Sequence, residues 1–182
     1  LYPTEAEGVP AFMQSFALDG MNVTIPYKET VIPYLSEISE EAEKIGSVNT
    51  VVKGEDGKLY GHNTDAFGFM QLVKRLDLTP KPRKALILGS GGSCKTARYV
   101  LEKYGVGEMI TVSRTGENNY QNLFLHADAE LIVNTTPVGM HPDYDSSPIS
   151  LRYFSDLEAV VDIIYNPFRT ELLLQAEECG IP

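Results

Sequence analysis

A glycine-rich turn, Gly89-Ser90-Gly91-Gly92-Ser93, lies directly between an apolar run and a helix-length segment. Glycines let the backbone turn tightly and approach a pyrophosphate, whose charge is then stabilised by free N–H groups at the start of the helix. The sixth position of the GxGxxG pattern is Cys94 instead of Gly or Ala, so the match is incomplete. A turn that only tightens the strand-to-helix connection is the alternative interpretation.

A cation flanked by two hydroxyls, Ser113-Arg114-Thr115, follows the next apolar run. An NAD-binding fold usually has Asp or Glu at this point, where it binds the ribose 2'-hydroxyl. A guanidinium instead suits a 2'-phosphate, because it can bind phosphate oxygens bidentately. The position therefore predicts NADP in preference to NAD, although a solvated Arg at a strand end is the common meaning of such a residue.

Three polar residues of the first half, Lys28, Asn49 and Asp65, fall at or near the ends of predicted elements, where scaffolds usually display functional side chains. A Lys and an Asp brought together beside a substrate hydroxyl could exchange its proton. An exposed lysine, a turn asparagine and a helix-capping aspartate are the alternatives. Tyr165 ends a predicted parallel strand, and doubly wound sheets bind ligands at such ends.

Short strands and helices are predicted in the first half of the chain, and they must position these residues. The alternation over 21–25 predicts a strand, and Pro26 predicts a helix starting at Tyr27. Two β-branched runs on either side of Glu55-Asp56-Gly57 predict a β-hairpin. The period of apolar residues after Asp65 predicts a helix, with Thr64 or Asp65 as its N-cap.

The second half has a different pattern. Two prolines in 79–83 mark the best domain boundary, which gives a partial substrate-binding α/β domain over 1–80 and a Rossmann-type domain over 81–182. Continuous apolar runs separated by helix-length segments predict a doubly wound parallel sheet that is buried on both faces. The runs are 85–88, 109–112, 131–133 and 159–164.

Composition excludes several classes of function. The 182 residues contain 15 Lys and Arg against 25 Asp and Glu, for a net charge of -10, which argues against nucleic-acid or membrane-surface partners. The three histidines share no metal-ligand spacing, so no metal is expected. The two cysteines form no CxxC pair, which favours a reducing cytoplasm over a disulfide scaffold.

Several motifs occur here in the order that is typical of one enzyme family. They are Asn22-Val-Thr-Ile-Pro-Tyr-Lys28, Gly46-Ser-Val-Asn-Thr50, Asn63-Thr-Asp65, Gly89-Ser-Gly-Gly92, Ser113-Arg-Thr115, Asn134-Thr-Thr-Pro-Val-Gly-Met140 and Asp162-Ile-Ile-Tyr-Asn-Pro167. In this order the chain resembles the shikimate dehydrogenases. The resemblance implies NADPH-dependent, reversible reduction of 3-dehydroshikimate to shikimate, a step of chorismate and aromatic amino acid biosynthesis.

The resemblance also implies a role for each matching residue. Lys28 becomes the catalytic acid/base and Asp65 its partner. The implied substrate contacts are Thr24, Lys28, Asn49, Asp65 and Tyr165. The implied cofactor residues are Gly89, Ser90, Gly91, Gly92, Ser93, Ser113, Arg114, Thr115 and Ile163, with Thr136 and Glu40 in addition.

The chain also departs from the family pattern. Tyr27 stands where the family usually has His, and Ala66 stands where it usually has Gly. The opening Ser-x-Ser pair, which holds the substrate carboxylate, and the closing helices with a substrate-binding Gln are not found in these residues. We therefore expect the 182 residues alone to turn over slowly, and their open sheet edges to favour a homodimer.

Two other functions fit the same residues. Lys28 and Asp65 would serve a quinate/shikimate dehydrogenase paralogue equally well. A non-catalytic NADP-binding module would keep the glycine turn and lose the substrate site. Turnover with shikimate distinguishes the enzymes from the module.

Overall fold

A computed structural model describes residues 5–182. The helices are α1 Val9–Gln14, α2 Glu40–Ile45, α3 Asp65–Arg75, α4 Gly92–Tyr104 and α5 Glu171–Glu178. The strands are β1 Gly20–Asn22, β2 Glu37–Ile38, β3 Thr50–Lys53, β4 Leu59–His62, β5 Lys84–Leu88, β6 Glu108–Val112, β7 Leu131–Asn134 and β8 Ala159–Asp162. Single 3-10 turns lie at Ala6–Gly8, Ile32–Tyr34, Leu123–His126 and Leu151–Tyr153. In this part of the chain, no helix is long and apolar enough to cross a bilayer.

The first sheet has the strand order β1-β3-β4-β2. β3 and β4 pair antiparallel, with Thr50 opposite His62, so the predicted hairpin is confirmed. Gly57 lies in its turn at a φ of 77°, a conformation that favours glycine. β2 is parallel to β4, and β1 is antiparallel to β3.

The helix predicted to start at Tyr27 is wrong, because residues 26–31 form turns that lead into the 3-10 turn at Ile32–Tyr34. The Lys28 carbonyl accepts a hydrogen bond from the Val48 N–H at 2.8 Å, a donor far along the chain. Pro33 has no N–H to extend a helical ladder. The segment is therefore held both by local turn hydrogen bonds, such as Val31 N–H to the Tyr27 carbonyl at 3.1 Å, and by the neighbouring strand region.

The second sheet has the strand order β6-β5-β7-β8, and each neighbouring pair is parallel. The parallel α/β sheet predicted for this half is therefore confirmed. Its central strands are covered on both faces, since every residue of β7 is buried and residues 85–88 of β5 are 0% exposed. This double burial explains why these runs are continuously apolar.

The core continues across the predicted boundary at residues 79–83. Phe69 and Val73 of α3 lie in the same buried cluster as Val100 and Leu101 of α4, which also packs on β5 and β7. A second cluster fills the other face of the parallel sheet against α5, and a third lies beneath the first sheet. α3 and α4 pack against each other, and this contact places the carboxyl ends of the parallel strands opposite the loops of the first sheet.

Candidate active site

Lys28 and Asp65 form an ion pair, with Lys28 Nζ 2.6 Å from Asp65 Oδ2. The Lys28 side chain is only 12% exposed, whereas that of Asp65 is 42% exposed. Lys28 Nζ also donates to Ser93 Oγ at 3.4 Å, in the first turn of α4. The ammonium group therefore contacts both the start of α3 and the glycine-rich turn.

Gly92 permits this close approach of α4. A Cβ atom on Gly92 would lie 2.6 Å from Ser47 Oγ and 3.1 Å from Lys28 Cβ. Both distances are shorter than ordinary van der Waals contact, so a larger residue would push α4 away from Lys28. The Ser47 hydroxyl is fully buried beneath this contact and has no hydrogen-bond partner among the described residues.

Two asparagines build the start of α3. Asn49 is 8% exposed, and its Oδ1 accepts from the Thr64 N–H at 2.9 Å while its Nδ2 donates to Thr64 Oγ1 at 3.0 Å. Asn63 Oδ1 accepts from the Ala66 N–H at 3.1 Å. Thr64 occupies the N-cap position, as predicted, but the side-chain hydrogen bond comes from Asn63, which leaves the Asp65 carboxylate to Lys28.

Asn63 also joins the two halves of the chain. Its Nδ2 donates to the Ser47 carbonyl at 2.9 Å and to Thr96 Oγ1 in α4 at 3.1 Å. It is 4% exposed, so these bonds are shielded from water. Asn63 thus fixes α3, α4 and the loop before β3, which carries Ser47 and Asn49, relative to one another.

The Lys28–Asp65 pair opens onto a cavity of about 690 Å³, which we call the ring cavity. Seven of the predicted substrate or cofactor residues line it: Thr24, Lys28, Asp65, Ser93, Thr136, Ile163 and Tyr165. Asn49 does not line this cavity but hydrogen-bonds to Thr64, which does. Tyr165 is 88% exposed at the rim, so its ring makes few contacts with the rest of the chain.

A second cavity of about 540 Å³, the nucleotide cavity, lies over the glycine-rich turn. Its lining includes every residue from Gly89 to Ser93 together with Ser113, Arg114 and Thr136. Five residues line both cavities: Ile25, Ser93, Thr135, Thr136 and Pro137. The two cavities are therefore neighbours with a common wall.

Two positions in this turn are occupied by glycine for different physical reasons. Gly89 has a φ of 106°, and a Cβ there would lie 2.8 Å from Thr135 Oγ1. Gly91 faces open space, since nothing lies within 4 Å of a Cβ placed on it. The first glycine is required by the fold, whereas the second keeps the start of α4 accessible to a ligand.

These residues fit a phosphorylated dinucleotide. α4 is 13 residues long, and its accessible first turn presents backbone N–H groups and the positive end of the helix dipole. The exposed Arg114 stands at the end of β6, on the rim of the same cavity. A cation and a helix N-terminus that line one cavity suit a ligand with two separate phosphate groups.

Two predicted cofactor residues lie outside both cavities. Glu40 begins α2 and forms an exposed ion pair with Lys44, which lowers the pKa of the Glu40 carboxyl mainly through their hydrogen bond. Thr115 is exposed beyond Arg114. The family resemblance implied that both lie near the cofactor, but the structure brings neither into the cavity lining.

Cys94, at the incomplete position of the glycine motif, is 5% exposed and packs between α4 and the sheet. Its Sγ lies 3.8 Å from Thr111 Oγ1 of β6. Burial raises the pKa of the Cys94 thiol, which keeps it neutral. A small, neutral residue here allows helix and strand to pack closely, as Gly or Ala does in the usual motif.

Three polar residues to which the motifs assigned no role meet at the ring cavity: Asp162 lines it, and Asn134 and Thr170 hydrogen-bond to Asp162. Asn134 ends β7, Asp162 ends β8, and Thr170 is the N-cap of α5. Burial raises the pKa of the Asp162 carboxyl, while hydrogen bonds from the Ile164 N–H, Thr170 and Asn134 oppose that shift. Asn134 and Asp162 could have been predicted from the sequence, because a polar residue at the end of a buried parallel strand stands at the ligand-binding edge of the sheet.

Comparison with known proteins identifies the family. Residues 2–51 match the family model of the shikimate dehydrogenase substrate binding domain. The NADP(+) shikimate dehydrogenase of Clostridium beijerinckii is 36% identical over 95% of this chain and 69% of its own length. The chain belongs to the shikimate dehydrogenase family.

Solved structures of shikimate dehydrogenases have the same fold. Shikimate dehydrogenase 1 from Peptoclostridium difficile superposes with a TM-score of 0.90 at 32% identity, covering 99% of this chain and 71% of the other. The shikimate 5-dehydrogenase of Thermus thermophilus, solved with NADP(H) and shikimate, gives 0.82 at 34% identity over 98% and 71%. The family and the α/β fold predicted from the sequence motifs are both confirmed.

Proposed function

We propose that this chain is the shikimate-binding and NADP-binding part of a shikimate dehydrogenase, which reversibly reduces 3-dehydroshikimate to shikimate. One observation carries the proposal: the Lys28–Asp65 pair opens onto a cavity that shares a wall with a second cavity over a glycine-rich turn. A polyhydroxylated ring in the first cavity would then face a nicotinamide that reaches in from the second.

Lys28 transfers the proton in this mechanism. In the reducing direction the Lys28 ammonium donates a proton to the carbonyl oxygen that becomes the hydroxyl group. In the oxidising direction the hydroxyl proton returns to the Lys28–Asp65 pair while the carbon loses a hydride. The Asp65 carboxylate, 2.6 Å from Lys28 Nζ, holds the amine towards the ring cavity and balances its charge.

The cofactor residues divide by the part of NADP that they would hold. Gly89, Ser90, Gly91, Gly92 and Ser93 would hold the pyrophosphate, and Ser113, Arg114 and Thr115 the 2'-phosphate. Ile163 and Thr136 would contact the nicotinamide from the ring cavity. When bound, NADP supplies the hydride acceptor or donor that no side chain can provide. Glu40 lines neither cavity, so we assign it no part of NADP.

Three further residues would contact the substrate directly or through one neighbour. Thr24 lines the ring cavity beside Lys28, and Tyr165 stands at its rim. Asn49 would act through Thr64, which also lines that cavity. Tyr165 can turn inwards over the ring, because so little packs against it.

Turnover of the full chain with shikimate and NADP+ tests the proposal, with quinate in place of shikimate as the comparison. Formation of NADPH with shikimate at a higher kcat/KM than with quinate is the expected result. A higher kcat/KM with quinate would assign the paralogue. Binding of NADP+ without reduction on either ring acid would assign the non-catalytic module.

The assembly and the compartment belong to the same proposal. We propose a homodimer formed through the outer strands of the sheets, where edge backbone groups can pair. Light scattering of the purified chain would test it. Cys94 and Cys179 are both free thiols, which supports a cytoplasmic location. The division into domains at residue 80 would be tested by limited proteolysis at 79–83.

A further inference from the structure

A partly buried carboxylate, Asp162, lines the ring cavity and ties together the segments that form its inner wall. Asp162 Oδ1 accepts from the Ile164 N–H at 3.0 Å, and Oδ2 accepts from Thr170 Oγ1 at 2.8 Å. Asn134 Nδ2 donates to both oxygens, at 3.2 Å and 3.1 Å. Asn134 is 0% exposed and Thr170 is 1% exposed, so the network is closed to water on that side.

Asn134 extends the network into the next loop. Its Oδ1 accepts from the Thr136 N–H at 3.0 Å and from Thr136 Oγ1 at 2.7 Å. Thr136 in turn accepts from the Val138 N–H at 3.2 Å. One amide and one carboxylate therefore fix Thr136 of the common wall relative to Ile164, the neighbour of Ile163.

The hydrogen bonds between Asn134 and Asp162 require an amide that donates and a carboxylate that accepts. The Asn134 amide donates through Nδ2 and accepts through Oδ1, while every hydrogen bond of Asp162 is accepted by its carboxylate. Charge-assisted bonds of this kind are stronger than neutral ones. A buried network that is fully satisfied fixes one arrangement, whereas a mismatched one is costly.

We propose that Asp162, paired with Asn134, is a positioning residue for hydride transfer: it sets the β7 and β8 ends so that Ile163 and Thr136 press the nicotinamide face towards the ring cavity. This inference rests on the proposed function. Asp162 acts through these neighbours and exchanges no proton with the substrate.

The test is a cycle of Asp162→Asn, Asn134→Asp and the double variant in the full chain. Asp162→Asn places two amide donors face to face, and Asn134→Asp places two carboxylates face to face. The double variant restores one amide opposite one carboxylate. We expect each single change to lower kcat about tenfold or more, and the double variant to return within about threefold of the original kcat.

Glu130→Gln is the matched control. Glu130 is 6% exposed directly before β7, at the opposite end of the same strand, and accepts from the Arg83 N–H at 2.6 Å. Its neutralisation should lower the melting temperature while kcat stays unchanged. A role of Asp162 in stability alone would give the same result for Asp162→Asn, and that would overturn the proposal.

A second readout does not depend on turnover. The fluorescence of bound NADPH reports the surroundings of its nicotinamide ring, so it should change in both single variants and recover in the double variant. If the original chain binds NADPH but reduces no ring ketone, the proposed function fails while this comparison still tests Asp162. Unchanged fluorescence in the single variants, or no recovery in the double variant, overturns the inference.

A milder change covers the case in which the single variants do not fold. Thr170→Val removes one donor to Asp162, together with the side-chain cap of α5, and leaves the carboxylate in place. We expect it to lower kcat several-fold with little change in the KM for shikimate, and Thr170→Ser to restore kcat. An unchanged kcat in Thr170→Val would contradict the proposal.

Discussion

Lys28 Nζ lies 2.6 Å from Asp65 Oδ2 although 37 positions separate the two residues along the chain. Lys28 comes from a loop of the first sheet, and Asp65 is the first residue of α3. Asn63 binds α3 to α4 through Thr96, so the pair and the glycine-rich turn are fixed by one set of contacts. A change in either half therefore alters the geometry of the proposed proton donor.

Lys28→Ala should lower kcat about 10²-fold or more with a small change in the KM for shikimate, because the variant lacks the proton donor but keeps the cavity. Steady-state kinetics with shikimate and NADP+ would measure it. Lys95→Ala is the control, since Lys95 pairs with Glu29 outside both cavities. An unchanged kcat in Lys28→Ala would remove Lys28 from this role.

Ser93→Ala should lower kcat about two- to tenfold, because Lys28 Nζ loses its second hydrogen-bond partner. Ser90→Ala removes a hydroxyl from the same turn, but Ser90 lines only the nucleotide cavity. It should therefore raise the KM for NADP+ more than it lowers kcat. Equal effects of the two changes on kcat would show that the Ser93 hydroxyl has no special relation to Lys28.

Arg114→Ala should weaken binding of NADP+ by roughly 1 to 3 kcal/mol and leave binding of NAD+ unchanged, because one charge-assisted contact with the 2'-phosphate is lost. Calorimetric titration with each nucleotide would measure the difference. Arg98→Ala should change neither affinity, since Arg98 donates to the Met109 carbonyl on the outer side of α4. Equal losses for both nucleotides in Arg114→Ala would indicate general damage.

Gly92→Ala should destabilise the chain by about 1 to 3 kcal/mol, because the added Cβ would collide with Ser47 Oγ and the Lys28 side chain. Combining it with Ser47→Ala should restore part of that loss, since the nearest atom is removed. Gly68→Ala in α3 is the comparison, because nothing lies within 4 Å of its Cβ. Chemical unfolding would give the free energies, and no recovery in the double variant would contradict the contact.

Glu130→Gln should show a pH-dependent loss of stability. The Arg83 backbone N–H, followed by the Arg83 side chain, lowers the pKa of Glu130 from its ordinary 4.5. A lowered pKa means that the carboxylate contributes stability above 4.5 and loses it as the pH falls through the lower folded value. The melting-temperature difference from the original chain should be largest at neutral pH and disappear in acid; a constant difference would contradict this assignment.

The sequence predicted those elements whose signals are local. β3 follows from its β-branched run and β4 from its position directly after the turn at Gly57, and the parallel strands follow from their continuous apolar runs. The conformation of Lys28 could not be predicted in this way, because the Val48 N–H that holds its carbonyl is distant in sequence. Pro26 locally favours a helix, but the segment forms turns, and the Val48 N–H bonds to the Lys28 carbonyl.

The candidate site likewise combines residues that the sequence predicts with contacts that it does not. The motifs identified Lys28, Asp65 and the glycine-rich turn, all of which line the two cavities. The capping role of Asn63 and the contact of Gly92 with Ser47 depend on how α3 and α4 pack, which no single segment encodes. Asn134 and Asp162 could have been found from their positions at strand ends, but their mutual bonding needed the register of β7 on β8.

The common wall of the two cavities has a consequence for inhibition. Because five residues line both spaces, one molecule can occupy both without crossing a stretch of protein. A compound that links a hydroxylated ring acid to an adenosine phosphate would lose its translational freedom only once. Such a bisubstrate compound should bind far more tightly than either half, and competitors that imitate one half would displace it poorly.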